Sequence, residues 1–548
     1  MLRSEEKPCN STSALWSGRL DFLKGIGEAR IVAKHKTLWE VLGLVVVASV
    51  VRFVSLDHPL WLDEAASILF AWQGYGGVVD ALAVDSTPPL FYWLLTGWIA
   101  VFGDSEIALR ALPATGGVLS VLATWYAARR LFPNKEWLPL VAGLLIALSP
   151  LAVYYGRECR MYAFCPLIAA LALSTLNQAL AQNTLRRWLA YSVVLTFGLY
   201  THNFVVFLVP LAPLAALLVP NATLRGRTFV WALGASGGAV LAFSPWLPIL
   251  VEQAGSGVTA WIPAVWEGTP PSMALFYSLE AMGVGGVYPD YLRGLSALDL
   301  GTAVRWISVL VLVGLLPWRW VRNRDHRRPL GLAILLLVLT TVVPWGLSFI
   351  KPIYVVGRYE LLAIPALALL MAAGVQSLPR GLGLAALVVW LGLAGWTWKA
   401  TSDMPINSFE RDLAAQVHEQ AGEGDVVVFT DYSRAVGEYY LQRWGSKATR
   451  KSYPSALEKH PGWYDVNDAL AHPRETWADA DALGRELAAV LREGRRVFVV
   501  DHTPGRRIQA VNSALYSAIC HHMGKGHPSC LPRLNQPPVL TGYGPAVE

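Results

Sequence analysis

The sequence predicts an α-helical protein that crosses a membrane many times and carries a small α/β domain towards its C-terminal end. Three observations carry that expectation. Of 548 residues, 54% are hydrophobic and only 15% are charged, whereas soluble proteins carry about 25% charged residues. Apolar runs of spanning length recur between 39 and 398, and roughly 20 such residues reach across the hydrocarbon core. After Lys399 the composition changes: "GDVVVFTD" (424–431) and "RRVFVVDHT" (495–503) read as strands between the helical stretches "SRAVGEYYLQRW" and "WADADALGRELAAVLREG". Strands alternating with helices suggest an α/β unit. The net charge of +6 includes no Lys/Arg block of the kind that grips nucleic acid, so no nucleic-acid partner is expected. Five Cys are too few for a disulfide scaffold.

Taken in order, residues 1–37 form a basic lead-in with Arg19, Lys24, Arg30, Lys34 and Lys36, which the positive-inside rule places in the cytoplasm. The first apolar run starts near Leu38 and is long enough to stay as an anchor, so no cleaved signal peptide is expected. Spans are expected at about 39–56, 107–131, 137–154, 161–181, 188–203, 204–219, 229–250, 302–320, 329–349, 359–376 and 382–398, about eleven in all. The shorter run "PPLFYWLLTGWIAVF" (88–102) decides the topology. The loop before it, 57–87, holds Asp57, Asp63, Glu64, Asp80 and Asp85 with no Lys or Arg, and reads as external. If 88–102 lies on the surface as an interfacial or re-entrant helix, Arg129, Arg130, Arg186, Arg187, Arg225, Arg227 and the basic cluster 319–328 all fall inside. The external face then holds 57–106, 155–160, the turn at His202, 251–300, 350–358 and the tail. The expected domains are 1–37, the membrane region 38–400 and the extracytoplasmic tail 401–548.

Candidate chemistry gathers on that face. Asp63 and Glu64 stand together in "LWLDEAASIL". One acid caps the helix that follows, which leaves the second for a general base or a metal ligand. Asp85 precedes Pro88-Pro89. In "SPLAVYYGRECRMYAF", Arg157, Glu158 and Arg160 lie with Tyr162 at a helix start, and the two arginines break the charge rule. Arg358, in "KPIYVVGRYELLAIP", breaks it again, with Lys351 before it and Tyr359 after it. Arg grips phosphate bidentately, although interfacial snorkelling would also place it there. His202 sits in "YTHNF" at an external turn, where a lone His is commonly structural.

The ordered set of an external Asp-Glu pair, "PPLFYWLL", "RALPATGGVLSVLATWYAARRLF", "SPLAVYYGRECRMYA" and "GRYELLAIPALAL" resembles the GT-C superfamily of integral membrane glycosyltransferases. It is most similar to bacterial relatives of protein O-mannosyltransferases and of the lipid A aminoarabinose transferase. The likeness covers about residues 38–400. It implies transfer of a sugar from a polyprenyl-phosphate donor to a lipid, glycan or protein acceptor at the extracytoplasmic face of the bacterial inner membrane. It also implies a first external loop with two interfacial helices and an essential acid, matching Asp63. By the same resemblance Arg358, helped by Lys351, Arg160 and Arg157, would neutralise the leaving phosphate. Glu158 would stand where relatives carry an Asp after the third span. Asp85, Tyr162, His202 and Tyr359 would contact substrate. Some members need a divalent ion such as Mg or Mn, which Asp63 and Glu64 would hold. The competing class, a transporter or lipid flippase, calls for inverted repeats and helices broken at the midplane. Neither is visible, and the unusual charges collect at one face. In the tail, "CHHMGKGHPSC" reads as a disulfide between Cys520 and Cys530 closing a short loop with exposed histidines, in preference to a zinc site.

This topology is open to test. A phosphatase reporter fused after Lys399 is expected to be active, and one fused after Arg187 silent. The reverse pattern would mean that 88–102 spans.

Overall fold

The computed structural model describes residues 35–255, 271–283, 324–402, 409–501, 506–523 and 539–543, with scattered positions at 262–263, 310–311, 314 and 316–317. Among these, five helices are long and apolar enough to cross a membrane: Glu106–Leu131, Met161–Gln182, Ala222–Gln253, His326–Leu347 and Arg380–Lys399. Four shorter apolar helices lie among them, at Leu90–Phe102, Leu138–Ala147, Asn203–Leu217 and Ile364–Ser377. The span expected at 302–320 lies almost wholly outside the described residues.

The entry to the bundle is a helix at 35–53, α1. Its buried Arg52 donates to the carbonyls of Ile146 at 3.2 Å and Ala147 at 2.9 Å, the last residues of Leu138–Ala147. A guanidinium thereby satisfies helix-end carbonyls that have no partner in their own helix. After α1 come three short helices, α2 (Leu62–Ala71), α3 (Gly74–Leu82) and α4 (Leu90–Phe102). The resemblance implied two. The extra break falls at Gly74, whose φ of 73° ends the direction of α2 in a conformation that favours glycine. At 1.5 Å per residue α4 is about 20 Å long, short of a hydrocarbon core of about 30 Å. It is tied to its neighbours: Thr96 Oγ1 donates to Ala71 O at 3.0 Å, and Trp93 Nε1 to Tyr75 O at 3.1 Å. The long helix α5 (Glu106–Leu131) then enters the bundle and packs along the helix Phe164–Gln182.

The tail contains a four-stranded sheet in the order β2-β1-β3-β4: β1 Val426–Thr430, β2 Thr449–Tyr453, β3 Val497–Asp501 and β4 Val539–Tyr543. β1 runs parallel to both β2 and β3, and β4 is antiparallel to β3. Because side chains alternate along a strand, Val426, Val428, Val497 and Val499 face one helical layer, with Leu487 and Leu515. Val427, Phe429, Phe498 and Val500 face the other, with Leu413 and Leu441. The expected strands at 424–431 and 495–503 are β1 and β3. β2 and β4 are additions: β2 reads "TRKSY", a polar edge strand with no apolar alternation to announce it. His521 and His522 are not loop residues as expected but end the helix Arg506–Met523. His522 Nε2 lies 2.7 Å from Asp481 Oδ1. Cys530 lies outside the described residues, so the expected disulfide does too.

The tail docks on the short helices. Tyr440 accepts a hydrogen bond from Leu60 N at 3.1 Å, and Tyr439 donates one to Asp104 O at 2.7 Å. Tyr439 also stacks on Trp72 with ring centroids 5.8 Å apart, and Arg443 pairs with Glu106.

Candidate active site

Asp63 and Glu64 open α2, where the helix N-terminus favours acidic side chains. Adjacent helical positions point about 100° apart, so the two carboxylates have different surroundings. Glu64 points inward, fully buried, and meets Arg110 of α5 side-on, with Nε to Oε1 at 2.8 Å and Nη2 to Oε2 at 2.6 Å. The backbone N–H of Cys159 also donates to Glu64 Oε1 at 2.8 Å. These bonds occupy both oxygens. Glu64 thus departs from its expected role as a catalytic or metal-binding acid: it is the counter-ion that seats α2. Asp63 points the other way and keeps 27% of its side chain exposed.

Two arginines flank it. Asp63 Oδ2 lies 3.9 Å from Arg160 Nη2 and 4.0 Å from Arg358 Nη2. Arg160 is anchored by Ser67 Oγ at 3.2 Å and the Tyr92 hydroxyl at 3.3 Å. Arg358 is delivered by a turn at Gly357, whose φ of 78° suits glycine, and begins the 3-10 helix Tyr359–Leu362. The Tyr162 ring lies beneath both guanidinium groups, 5.9 Å from Arg160 and 5.2 Å from Arg358, within cation–π range. Both arginines are more than nine-tenths buried, so little water competes for an anion placed between them.

Glu158 completes the group. Burial pushes its carboxyl up to about 8; Arg358 opposes the shift, while Glu64 and Asp63 add to it. Its Oε1 is buried without a hydrogen-bond partner. The shift favours the protonated form of Glu158 near neutral pH, and two guanidinium groups then face the single carboxyl of Asp63. Asp85 sits apart, held by Thr87 Oγ1 at 2.7 Å and with His460 Nε2 of the tail 3.7 Å away. Burial pushes the Asp85 carboxyl up, but His460, Arg160 and Thr87 outweigh it and hold it below the usual carboxylate range.

The other candidates divide. Tyr162 and Tyr359 lie beside the arginines, with His202 between them at centroid distances of 5.7 and 5.5 Å. His202 is not a polar contact for substrate through Nδ1, which accepts the Phe204 backbone N–H at 3.1 Å. Burial, with Arg358 and Arg160 nearby, pushes it down to about 3, so it acts as a neutral ring. Arg157 leaves the phosphate group: its Nη2 donates to Val54 O and Ser55 O, each at 2.9 Å, just past the end of α1. Lys351 is exposed, and among the described residues no interaction joins it to Arg358. A metal pair of Asp63 and Glu64 does not fit, because Arg110 and Cys159 take both Glu64 oxygens. No three His, Cys, Asp or Glu side chains come together as a metal set among the described residues. Arg110 was missed in the sequence, although a basic residue at the external end of a span is the same signal that singled out Arg358. His460 and Tyr92 carried no signal of their own.

Residues 86–249 match the family model for dolichyl-phosphate-mannose-protein mannosyltransferase. Over 85% of the chain the fold is similar to that of ArnT from Cupriavidus metallidurans. With ArnT bound to undecaprenyl phosphate, the TM-score is 0.52 at 15% identity, covering 85% of this chain and 93% of that one. With ArnT in the apo state, the TM-score is 0.55 at 15% identity and the same coverage. No curated protein matches the chain. At 15% identity the structural likeness carries the fold alone.

Two outcomes follow from this geometry. Arg110→Ala strands the Glu64 carboxylate in the interior and is expected to lower unfolding free energy by about 3–5 kcal/mol, read by thermal unfolding in detergent. Asp63→Asn should unfold near the wild-type temperature. A raised carboxyl pKa means Glu158 is neutral below about pH 8 and charged above it. Affinity for an anionic phospholipid should therefore fall as pH rises through that value, and Glu158→Gln should flatten the dependence. A profile identical in the two proteins rejects the assignment.

Proposed function

We propose that the chain transfers a sugar from a polyprenyl-phosphate donor to a lipid, glycan or protein acceptor at the extracytoplasmic face of the bacterial inner membrane. The observation that carries this reading is the pair of buried arginines, Arg160 and Arg358, about one carboxylate that remains partly open. An ArnT structure with undecaprenyl phosphate supports a lipid-phosphate donor. In this reading residues 1–37 stay in the cytoplasm, 38–400 form the catalytic membrane domain and 401–548 an extracytoplasmic domain.

The donor phosphate enters between Arg160 and Arg358, replacing the long ion pairs they make with Asp63. Asp63 is then free to take the proton of the acceptor hydroxyl. The acceptor oxygen attacks the anomeric carbon, and the bond from that carbon to the phosphate oxygen breaks. Its electron pair leaves with the polyprenyl phosphate. The two guanidinium groups stabilise that growing charge, strongly so because the site is largely closed to water. One direct displacement inverts the anomeric centre. Tyr162, Tyr359 and the neutral His202 supply flat walls for the sugar and prenyl ends.

Incubation with a panel of polyprenyl-phosphate sugars, read by mass spectrometry of the lipids, tests the reaction; consumption of none of them overturns it. Asp63→Asn is expected to cut transfer at least about a hundredfold, within the range of general-base catalysis. Near-normal turnover would remove Asp63 from that role. Arg358→Lys keeps the charge but loses the planar fork, so donor affinity should drop in it and further in Arg358→Ala. Equal affinity in all three proteins rejects the phosphate role.

A further inference from the structure

The tail's sheet carries polar groups that the reaction above does not use. The chain leaves β1 for β2 on one side and later returns to β3 on the other, so β1 and β3 are neighbours whose connections diverge. In open α/β sheets the crevice at the carboxyl ends of such a strand pair is where ligands bind. Here those ends carry Asp431, directly after β1, and Asp501, the last residue of β3.

Asp431 is fully buried, and its carboxyl has no side-chain partner; the backbone N–H of Tyr432 alone is near enough to act on it. Its φ is 53°, an uncommon conformation for a residue other than glycine. Two more orphan atoms accompany it. Asn512 is buried, and its Nδ2 donates to Asp501 Oδ1 at 3.0 Å and Thr430 Oγ1 at 3.3 Å, but its own Oδ1 has no partner. The buried Tyr464 hydroxyl is also unpartnered and lies within the electrostatic reach of both Asp431 and Asp501. Three buried side chains with unused hydrogen-bonding atoms thus sit together at this strand edge, a set that can pair with the hydroxyl groups of a ligand. Burial, with Asp501 nearby, pushes the Asp431 carboxyl up to about 8. The rim is half-buried and aromatic, with Tyr432 and Tyr516; the Tyr516 hydroxyl donates to Asp501 Oδ2 at 3.3 Å. The loop bearing Tyr464 also places Gly462 against Leu62 of α2 and His460 beside Asp85.

We propose that the carboxyl edge of this sheet is a second binding site, which takes the hydroxyl groups of a sugar through Asp431, Asn512 and Tyr464. The Asp431 carboxyl and the Asn512 amide oxygen accept from the sugar's hydroxyls, and tyrosine faces cover its C–H surface. Because the same loop reaches the catalytic helix, the sugar belongs to the acceptor. That last step rests on the transferase reading; the binding site itself does not.

Saturation-transfer NMR on the full chain in detergent, with methyl α-mannoside, glucoside and galactoside at millimolar concentration, tests the site without requiring turnover. Saturation transfer to at least one glycoside is expected in the wild-type protein and in Asp63→Asn. It should fall at least fivefold in Asp431→Asn. Tyr464→Phe removes only an unbonded hydroxyl, so a structural role predicts no change, whereas the proposal predicts weaker transfer at an unchanged unfolding temperature. Absence of transfer from every glycoside in the wild type overturns the proposal, as does equal transfer in both variants. So does calorimetric binding of Ca²⁺ or Mg²⁺ alone that Asp431→Asn abolishes, because the site would then be a cation site. Loss of sugar transfer with binding intact would instead count against the reaction proposed above.

Discussion

One buried ion pair organises the region around α2. Arg110 grips Glu64 with two bonds and also donates to Leu56 O at 2.8 Å and Pro59 O at 3.0 Å. Glu64 in turn receives the Cys159 N–H. A single guanidinium thus joins the chain after α1, the start of α2 and the loop that carries Glu158 and Arg160. Both partners are essentially inaccessible to water. Such a pair adds little net stability over an apolar replacement but is costly to break from one side. Its use here is positional: with Glu64 held inward, the helical twist leaves Asp63 facing Arg160 and Arg358.

The site depends on charge balance. Two arginines surround one ionised carboxylate, and a second carboxyl, Glu158, is kept neutral by burial. The surplus positive charge suits a phosphate group in a place where bulk water would otherwise screen it. Aromatic rings stand where a less apolar wall would admit water, and Tyr162 supports both guanidinium groups with its face. The tail belongs to the same construction. Tyr440 holds the backbone just before α2, and His460 stands beside Asp85.

Much of the fold was legible because the membrane is a demanding solvent. A span must be apolar for most of its length, so α5 and the helices at Met161–Gln182, His326–Leu347 and Arg380–Lys399 follow the expected runs closely. β1 and β3 were legible for the same reason: each is a buried apolar stretch in a polar tail. β2 was not, since "TRKSY" is a polar edge whose strand character comes from pairing with β1. The break at Gly74 and the helix α3 after it were not singled out, although the glycines of "QGYGGVV" (73–79) are the kind of signal that marks such a break.

The site divides along the same line. The sequence by itself determined which residue types were out of place: acids in an external apolar loop, and arginines at the external ends of spans. That was enough to name Asp63, Arg160, Arg358 and Glu158, because a charge near lipid needs a reason. It could not separate Asp63 from Glu64, nor Arg160 from Arg157, since neighbours in sequence carry the same signal. Only the tertiary structure decided between them. Arg110, 46 residues beyond Glu64, claims one acid and leaves the other. The carbonyls of Val54 and Ser55 claim Arg157 in the same way and leave Arg160 beside Asp63. Which ionic group is consumed and which stays available depends on partners distant in the chain, and distance in space is not written in local order.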